Sequence, residues 1–184
     1  GYVMNTDYAT QNMVRNATRE AGGVLYGRSV YGLEKHLPVS PEVAEQALTE
    51  LEAIILEGAP DRQWHCSELA DALSVRRPDL EEELDPFTVN VILRRSSDLT
   101  YLGRLVWVGA RRAEEAQDRL EVAAMCEAAL VKAGRPLTKR ELRDAILQVR
   151  GLNHNFLPQS SERIVRLGHG MWGLVNRDVG VSAE

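Results

Sequence analysis

Residues 87–109, FTVNVILRRSSDLTYLGRLVWVG, decide how this chain is read, because the stretch returns twice elsewhere. Residues 152–174, LNHNFLPQSSERIVRLGHGMWGL, align with it without gaps, pairing Asn90 with Asn155, Ser96 with Ser161, Leu102 with Leu167, Gly103 with Gly168 and Trp107 with Trp172. Residues 11–33, QNMVRNATREAGGVLYGRSVYGL, fit the same frame, with Gly27 in the glycine column and Tyr31 in the tryptophan column. Self-similarity at spacings of 65 to 76 residues implies repeated small domains.

Each copy reads as a helix running into a β-hairpin. The first half spaces apolar residues such as Phe87 and Val91 for a helix; the second turns to aromatic and β-branched residues around a glycine. Gly103-Arg104 and Gly168-His169-Gly170 are the expected hairpin tips, where positive φ is wanted. Tyr31, Trp107 and Trp172 are expected to anchor each hairpin in its core. A helix followed by such a hairpin is the second half of a winged helix-turn-helix, so the expected fold class is α+β, mainly helical, in tandem winged helix-turn-helix domains.

The rest of the chain supplies the helices that should precede each hairpin. Ser40-Pro41-Glu42 combines a capping oxygen, a proline tolerated at the first helical position and an acid that suits the helix dipole. A helix with Ala44, Ala47, Leu48, Leu51, Ile54 and Ile55 facing inward should run from there to about Gly58. A short helix over 67–75 follows, and Asp85-Pro86 should cap the third. Further on, a helix is predicted over 113–133, ended by Gly134, and another over 139–150, opened by Thr138 and Glu141 at capping-box spacing. Pro158 opposes a helix spanning 152–163, so the third recognition helix is expected to start near it. Glu68 lies 19 positions before Phe87 but Glu141 only 11 before Leu152, so RRPDLEEE reads as an insertion of 8 residues. The predicted organisation is an incomplete first unit over 1–39, cut from a longer protein, a second over 40–110 and a third over 111–180.

Composition sets outer limits. A chain of 184 residues, 44% hydrophobic and 27% charged, is expected to fold rather than stay disordered. No apolar run reaches the roughly 20 residues of a membrane span, and a cytoplasmic location is the default expectation. Cys66 and Cys126 lack the paired spacing of a zinc site, and the four histidines are scattered, so neither a metal nor another cofactor is expected. No phosphate-binding loop is present either, and no catalytic constellation stands out; a non-enzymatic role is expected.

Net charge is −5, but it is unevenly distributed. The three helix-hairpin copies carry +2, +2 and +1 in chain order, leaving −10 elsewhere. Residues 41–110 hold six arginines against fourteen acids, whereas 111–184 hold twelve bases against ten acids. Positive charge on the helix-hairpin half suits a phosphate backbone. The acidity of the second unit favours a protein partner for it instead.

The run VAAMCEAALVKAGRPLTKRELRDAILQVRG, followed by SERIVRLGHGMWGLV, resembles the HARE-HTH family of winged-helix modules. Its motifs are the approach Gly134-Arg135-Pro136-Leu137-Thr138 and the close Gly168-His169-Gly170-Met171-Trp172-Gly173-Leu174; the second unit has Trp64-His65-Cys66-Ser67 in place of the Pro-Leu-Thr approach. The resemblance implies a DNA-associated adaptor of the kind found in bacterial restriction systems, in the RNA polymerase delta subunit and in chromatin proteins. It implies binding without chemistry and transfers no catalytic residues.

The leading expectation is therefore a DNA-binding module of transcription regulation or restriction and defence, with double-stranded DNA as partner and a larger chain or a protein partner beside it. Ser160, Ser161 and Arg163 would approach the major groove, with Arg166 and His169 on the wing. Asn90, Arg94 and Arg95 hold the matching helix positions of the second unit, and Arg104 its wing; Arg15, Arg19 and Arg28 would serve in the first. The alternative is a protein-interaction scaffold of winged-helix domains.

Overall fold

A computed structural model describes residues 13, 16–18, 20–27, 30–80, 84–110 and 118–180. The fold is mixed α+β: helices packed on small antiparallel sheets. Among the described residues, no helix is long and apolar enough to cross a membrane.

Residues 13, 16–18 and 20 are helical, and the first described strands, β1 (Val24–Gly27) and β2 (Val30–Gly32), form a hairpin. Helix α1 (Pro41–Glu57) follows, capped by Ser40, whose Oγ accepts from Val43 N at 3.2 Å, with Pro41 in the first turn. Its buried stripe is Ala44, Ala47, Leu51, Ile54 and Ile55. Strand β3 (Trp64–His65) leads directly into α2 (Cys66–Arg76), and Asp85 caps α3 (Pro86–Leu93) through bonds from Phe87 N and Thr88 N. The hairpin of β4 (Leu99–Gly103) and β5 (Val106–Gly109) closes this part, in a sheet ordered β3-β5-β4.

The pattern then repeats with α4 (Val122–Ala133), β6 (Leu137–Thr138), α5 (Lys139–Leu147), β7 (Ile164–Arg166) and β8 (Met171–Leu174), in a sheet ordered β6-β8-β7. A single turn of helix, α6 (Val175–Asp178), ends it. Gly134 stops α4 at φ +65, and Thr138 and Glu141 form the reciprocal capping box of α5.

The three hairpins share one register. Val24 faces Gly32, Leu25 faces Tyr31 and Gly27 faces Val30, with an irregularity between Leu25 and Gly27. Adding 76 to each number gives the β4–β5 pairs, Thr100 with Val108, Tyr101 with Trp107 and Gly103 with Val106, irregularity included. Adding 65 to the β4–β5 numbers gives Val165 with Gly173 and Arg166 with Trp172. Trp107 and Trp172 are both buried and both pair on their other side with the short strand ahead of a helix, at Trp64 and Leu137. Those strands are 73 positions apart while the hairpins are 65 apart, which is the eight-residue difference read from the sequence.

Three expectations are corrected. No third helix forms between 151 and 163. Pro158 withholds a backbone donor, an Asn153 turn accepts from Phe156 N at 3.0 Å, and Leu152 and Phe156 drop into the core where a helix would have packed. The helix predicted over 113–133 is helical only from Val122; 118–120 are non-helical, and 111–117 lie outside the described residues. The helix predicted to reach 150 ends at Leu147, because the backbone beyond it bonds to Gln63.

Two hydrophobic clusters result. One joins α1, α2, α3, Leu99 and Trp107; the other joins Cys126, Leu130, Leu142, Ile146, Phe156, Ile164 and Trp172. Between them lies a polar joint centred on Gln63, which is 2% exposed. Its N–H donates to Val149 O at 3.0 Å and its carbonyl accepts from Gly151 N at 2.6 Å. The side chain donates to Asp118 O at 3.1 Å and accepts from Leu120 N at 3.0 Å. Arg62 donates to Leu147 O at the end of α5, lies 3.7 Å over the Trp64 ring and pairs with Glu68. Gly151 is required here, since a Cβ would fall 2.5 Å from His65 N.

Candidate nucleic-acid interface

The helix expected to read a groove in the second unit has no face available for it. Every residue from Thr88 to Leu93 is buried, because α3 packs on α1 and α2 on one side and on β1 of the first hairpin on another. Its sequence, PFTVNVIL, carries no continuous polar stripe, and a helix apolar all round is a buried one. Asn90 is thereby corrected: it is 1% exposed, and its Oδ1 accepts the indole N–H of Trp107 at 3.1 Å. The amide serves a buried tryptophan rather than a base edge.

The arginines after α3 are also engaged. Arg94 lies 4.9 Å from the ring centroid of Tyr101. Arg95 pairs with Glu34 at 2.7 Å, tying the turn after the first hairpin to the end of α3. Arg104 is exposed at its hairpin tip with φ +50 and makes no ion pair among the described residues. Arg15, Arg19 and Arg28 lie outside the described residues.

In the third unit Ser160, Ser161 and Arg163 are exposed but sit on an irregular segment, not on a helix. Ser161 Oγ accepts from Arg163 N at 3.2 Å and Ile164 N at 3.1 Å, as Ser96 Oγ accepts from Asp98 N at 3.1 Å one repeat earlier. These hydroxyls shape the start of each hairpin. Arg163 pairs with Glu127 at 3.0 Å. Arg166 on β7 and His169 at the tip, with φ +59, are both exposed.

Sequence reasoning found α5 but missed its cations as site residues. Its buried face, Leu142 and Ile146, leaves Lys139, Arg140 and Arg143 in solvent. Arg140 has only a loose partner, Asp144 at 3.8 Å, and Lys139 and Arg143 make no ion pair among the described residues. The signal was the alternation in KRELRDAIL, where Lys139 and Arg143 stand one turn apart. Register brings this end of α5 to the tip of the β7–β8 hairpin. Thr138, immediately before Lys139, pairs with Met171, which immediately follows the tip Gly168–Gly170. Arg166 lies two strands over, about 10 Å away by sheet spacing.

Burial holds both thiols and one imidazole in their neutral forms. Burial pushes the Cys66 thiol up and the Cys126 thiol up to about 11. His65 is driven down to about 4, first by burial and then by the charge of Arg150, and is neutral near pH 7. His154 contacts Asp71 at 2.7 Å on the surface. Comparison with known proteins finds no matching family model, no matching curated protein and no matching solved structure.

Proposed function

We propose that this chain is a non-enzymatic, DNA-associated adaptor of tandem winged helix-turn-helix units, in which the third unit makes the phosphate contact and the second acts as the packing hub. The winged-helix reading is supported by the element order of the second unit, helix, strand, two helices and hairpin, with the short strand paired to the second hairpin strand. The third unit keeps that order with a packed irregular segment replacing its third helix. It also bears the HARE-HTH-like motifs.

One observation carries the DNA reading: Lys139, Arg143 and Arg166 are exposed cations without an ion pair among the described residues, and strand pairing sets the start of α5 in the same sheet as the hairpin that bears Arg166 and the His169 tip. Such cations can replace the counterions of a duplex, whereas Arg95 and Arg163 are already neutralised. Among the described residues neither the second nor the third unit offers a base-reading helix, so the contact proposed for them is to backbone and groove shape rather than to sequence. Fluorescence anisotropy with a random duplex tests it. Affinity should fall with salt with a logarithmic slope of about −3, one unit for each of three phosphates. The triple variant Lys139→Gln/Arg143→Gln/Arg166→Gln should lose most of that slope. Absence of binding at low salt, or a triple variant that binds like the parent, overturns the reading.

The burial of α3 and the acidity of residues 41–110 favour a second reading for that unit, a scaffold that docks a protein. It gains if the chain proves indifferent to duplex DNA.

A further inference from the structure

A cavity of about 350 Å³ opens where the second and third units meet. Its polar wall includes three arginines from three different segments: Arg104 from the β4–β5 tip, Arg119 from the segment clamped by Gln63, and Arg150 from the turn after α5. Its other wall is apolar, formed by Val122, Cys126, Leu152 and Phe156.

Arg150 is the unusual member. It is 6% exposed, its Nη1 donates to Leu120 O at 2.6 Å, and its Nε has no hydrogen-bond partner. It makes no ion pair among the described residues. Glu121 is the one carboxylate on the lining, and it pairs with Arg119. Arg104 makes none. Three guanidiniums against one carboxylate leave a net charge of +2 around the cavity. Desolvation, then Arg119 and Arg104, hold Arg150 below its ordinary range, and Glu121 offsets them only in part, so positive charge is in excess here. A buried cation beside two others is costly unless an anion joins it. His65, also on the lining, is neutral: its Nδ1 accepts from Ser67 N at 3.1 Å, which leaves the proton on Nε2.

We propose that this cavity binds a small phosphate monoester carried on an apolar body, its phosphate held by Arg104, Arg119 and Arg150 and its apolar part laid against Val122 and Phe156. Guanidinium forks match phosphate oxygens in pairs. A phosphate monoester carries a charge of about −1.5 to −2 near pH 7, which matches the +2 better than a carboxylate does. The volume lies at the small end of the range for ligand pockets, roughly 300–1,000 Å³. Because the three arginines come from both units and the segment between them, an occupied site ties the units together. This inference is independent of the DNA reading, which rests on Lys139, Arg143 and Arg166.

Calorimetric titration of the whole chain with phenyl phosphate, inorganic phosphate and benzoate tests it. Phenyl phosphate should bind saturably at one site and more tightly than either of the others. Arg104→Asn, chosen because asparagine tolerates positive φ, and Arg119→Gln should each weaken it roughly tenfold, the loss expected for one charge-assisted contact. The Lys139→Gln/Arg143→Gln/Arg166→Gln variant should bind phenyl phosphate like the parent. No saturation at about 10 mM, equal affinity for all three probes, or folded Arg104→Asn and Arg119→Gln variants that bind unchanged would each overturn the proposal.

Discussion

Replacing Gln63 by leucine tests whether the two hydrophobic clusters are coupled through a polar joint. The side chain is 2% exposed and makes two hydrogen bonds to the segment before α4, at 3.1 Å to Asp118 O and 3.0 Å from Leu120 N. Leucine has nearly the same volume, so little cavity is created, but a carbonyl and an N–H lose their partners. Each such loss costs about 1–3 kcal/mol when buried. Asp118 and Leu120 are exposed as residues, so water can reach part of this segment, and the total falls to about 2 kcal/mol. For a chain of this size that lowers Tm by about 4–8 °C. Urea unfolding followed by tryptophan fluorescence should show a lower midpoint and a transition that broadens or splits. Trp107 belongs to one cluster and Trp172 to the other, and the joint between the clusters is polar. A midpoint within about 0.5 kcal/mol of the parent, with a single sharp transition, would refute the coupling.

Two further outcomes are expected. His65 is held near 4 in the fold against an ordinary 6.5, so the unfolded chain takes up its proton first on acidification. Stability should therefore decline between about pH 6.5 and pH 4, by about 3 kcal/mol in all, and level off below that as far as this group is concerned. Most of that window lies above the range where ordinary carboxylates titrate. His65→Asn keeps a side-chain acceptor for Ser67 N and should flatten the upper part of the curve; an unchanged curve would exclude His65 as its source. Asn90→Leu strips the Trp107 indole of its buried acceptor and should cost about 1–3 kcal/mol in thermal unfolding, while duplex affinity of the folded protein stays the same. A loss of affinity without a loss of stability would restore Asn90 to the binding surface.

The hairpins and their spacing were legible in the repeat, though not their strand ends. Alternating aromatic and β-branched positions around a glycine tip specify register locally, and the 76- and 65-residue offsets read from the sequence recur in the strand pairs. Helix starts at Ser40, Asp85 and Thr138 and the stop at Gly134 were equally local, since capping involves residues within one turn. The candidate site was far less legible. Equating Asn90 with a base-reading residue followed from its column in the repeat, yet the first hairpin covers α3, and nothing within residues 87–109 announces that cover.

By itself, then, the sequence determined the capped helix starts at Ser40, Asp85 and Thr138 and the hairpins with their shared register, because those choices are made by side chains a few positions apart. Packing, by contrast, decided that the helix expected near Pro158 does not form. Tertiary structure alone decided which cations face water. Gln63 reaches a backbone 86 positions further along at Val149, and that joint draws Arg150 out of solvent toward Arg104 and Arg119. It leaves Lys139, Arg143 and Arg166 outside. An arginine carries the same formal charge in either place; its burial and its neighbours, fixed by contacts between distant segments, set what it can bind.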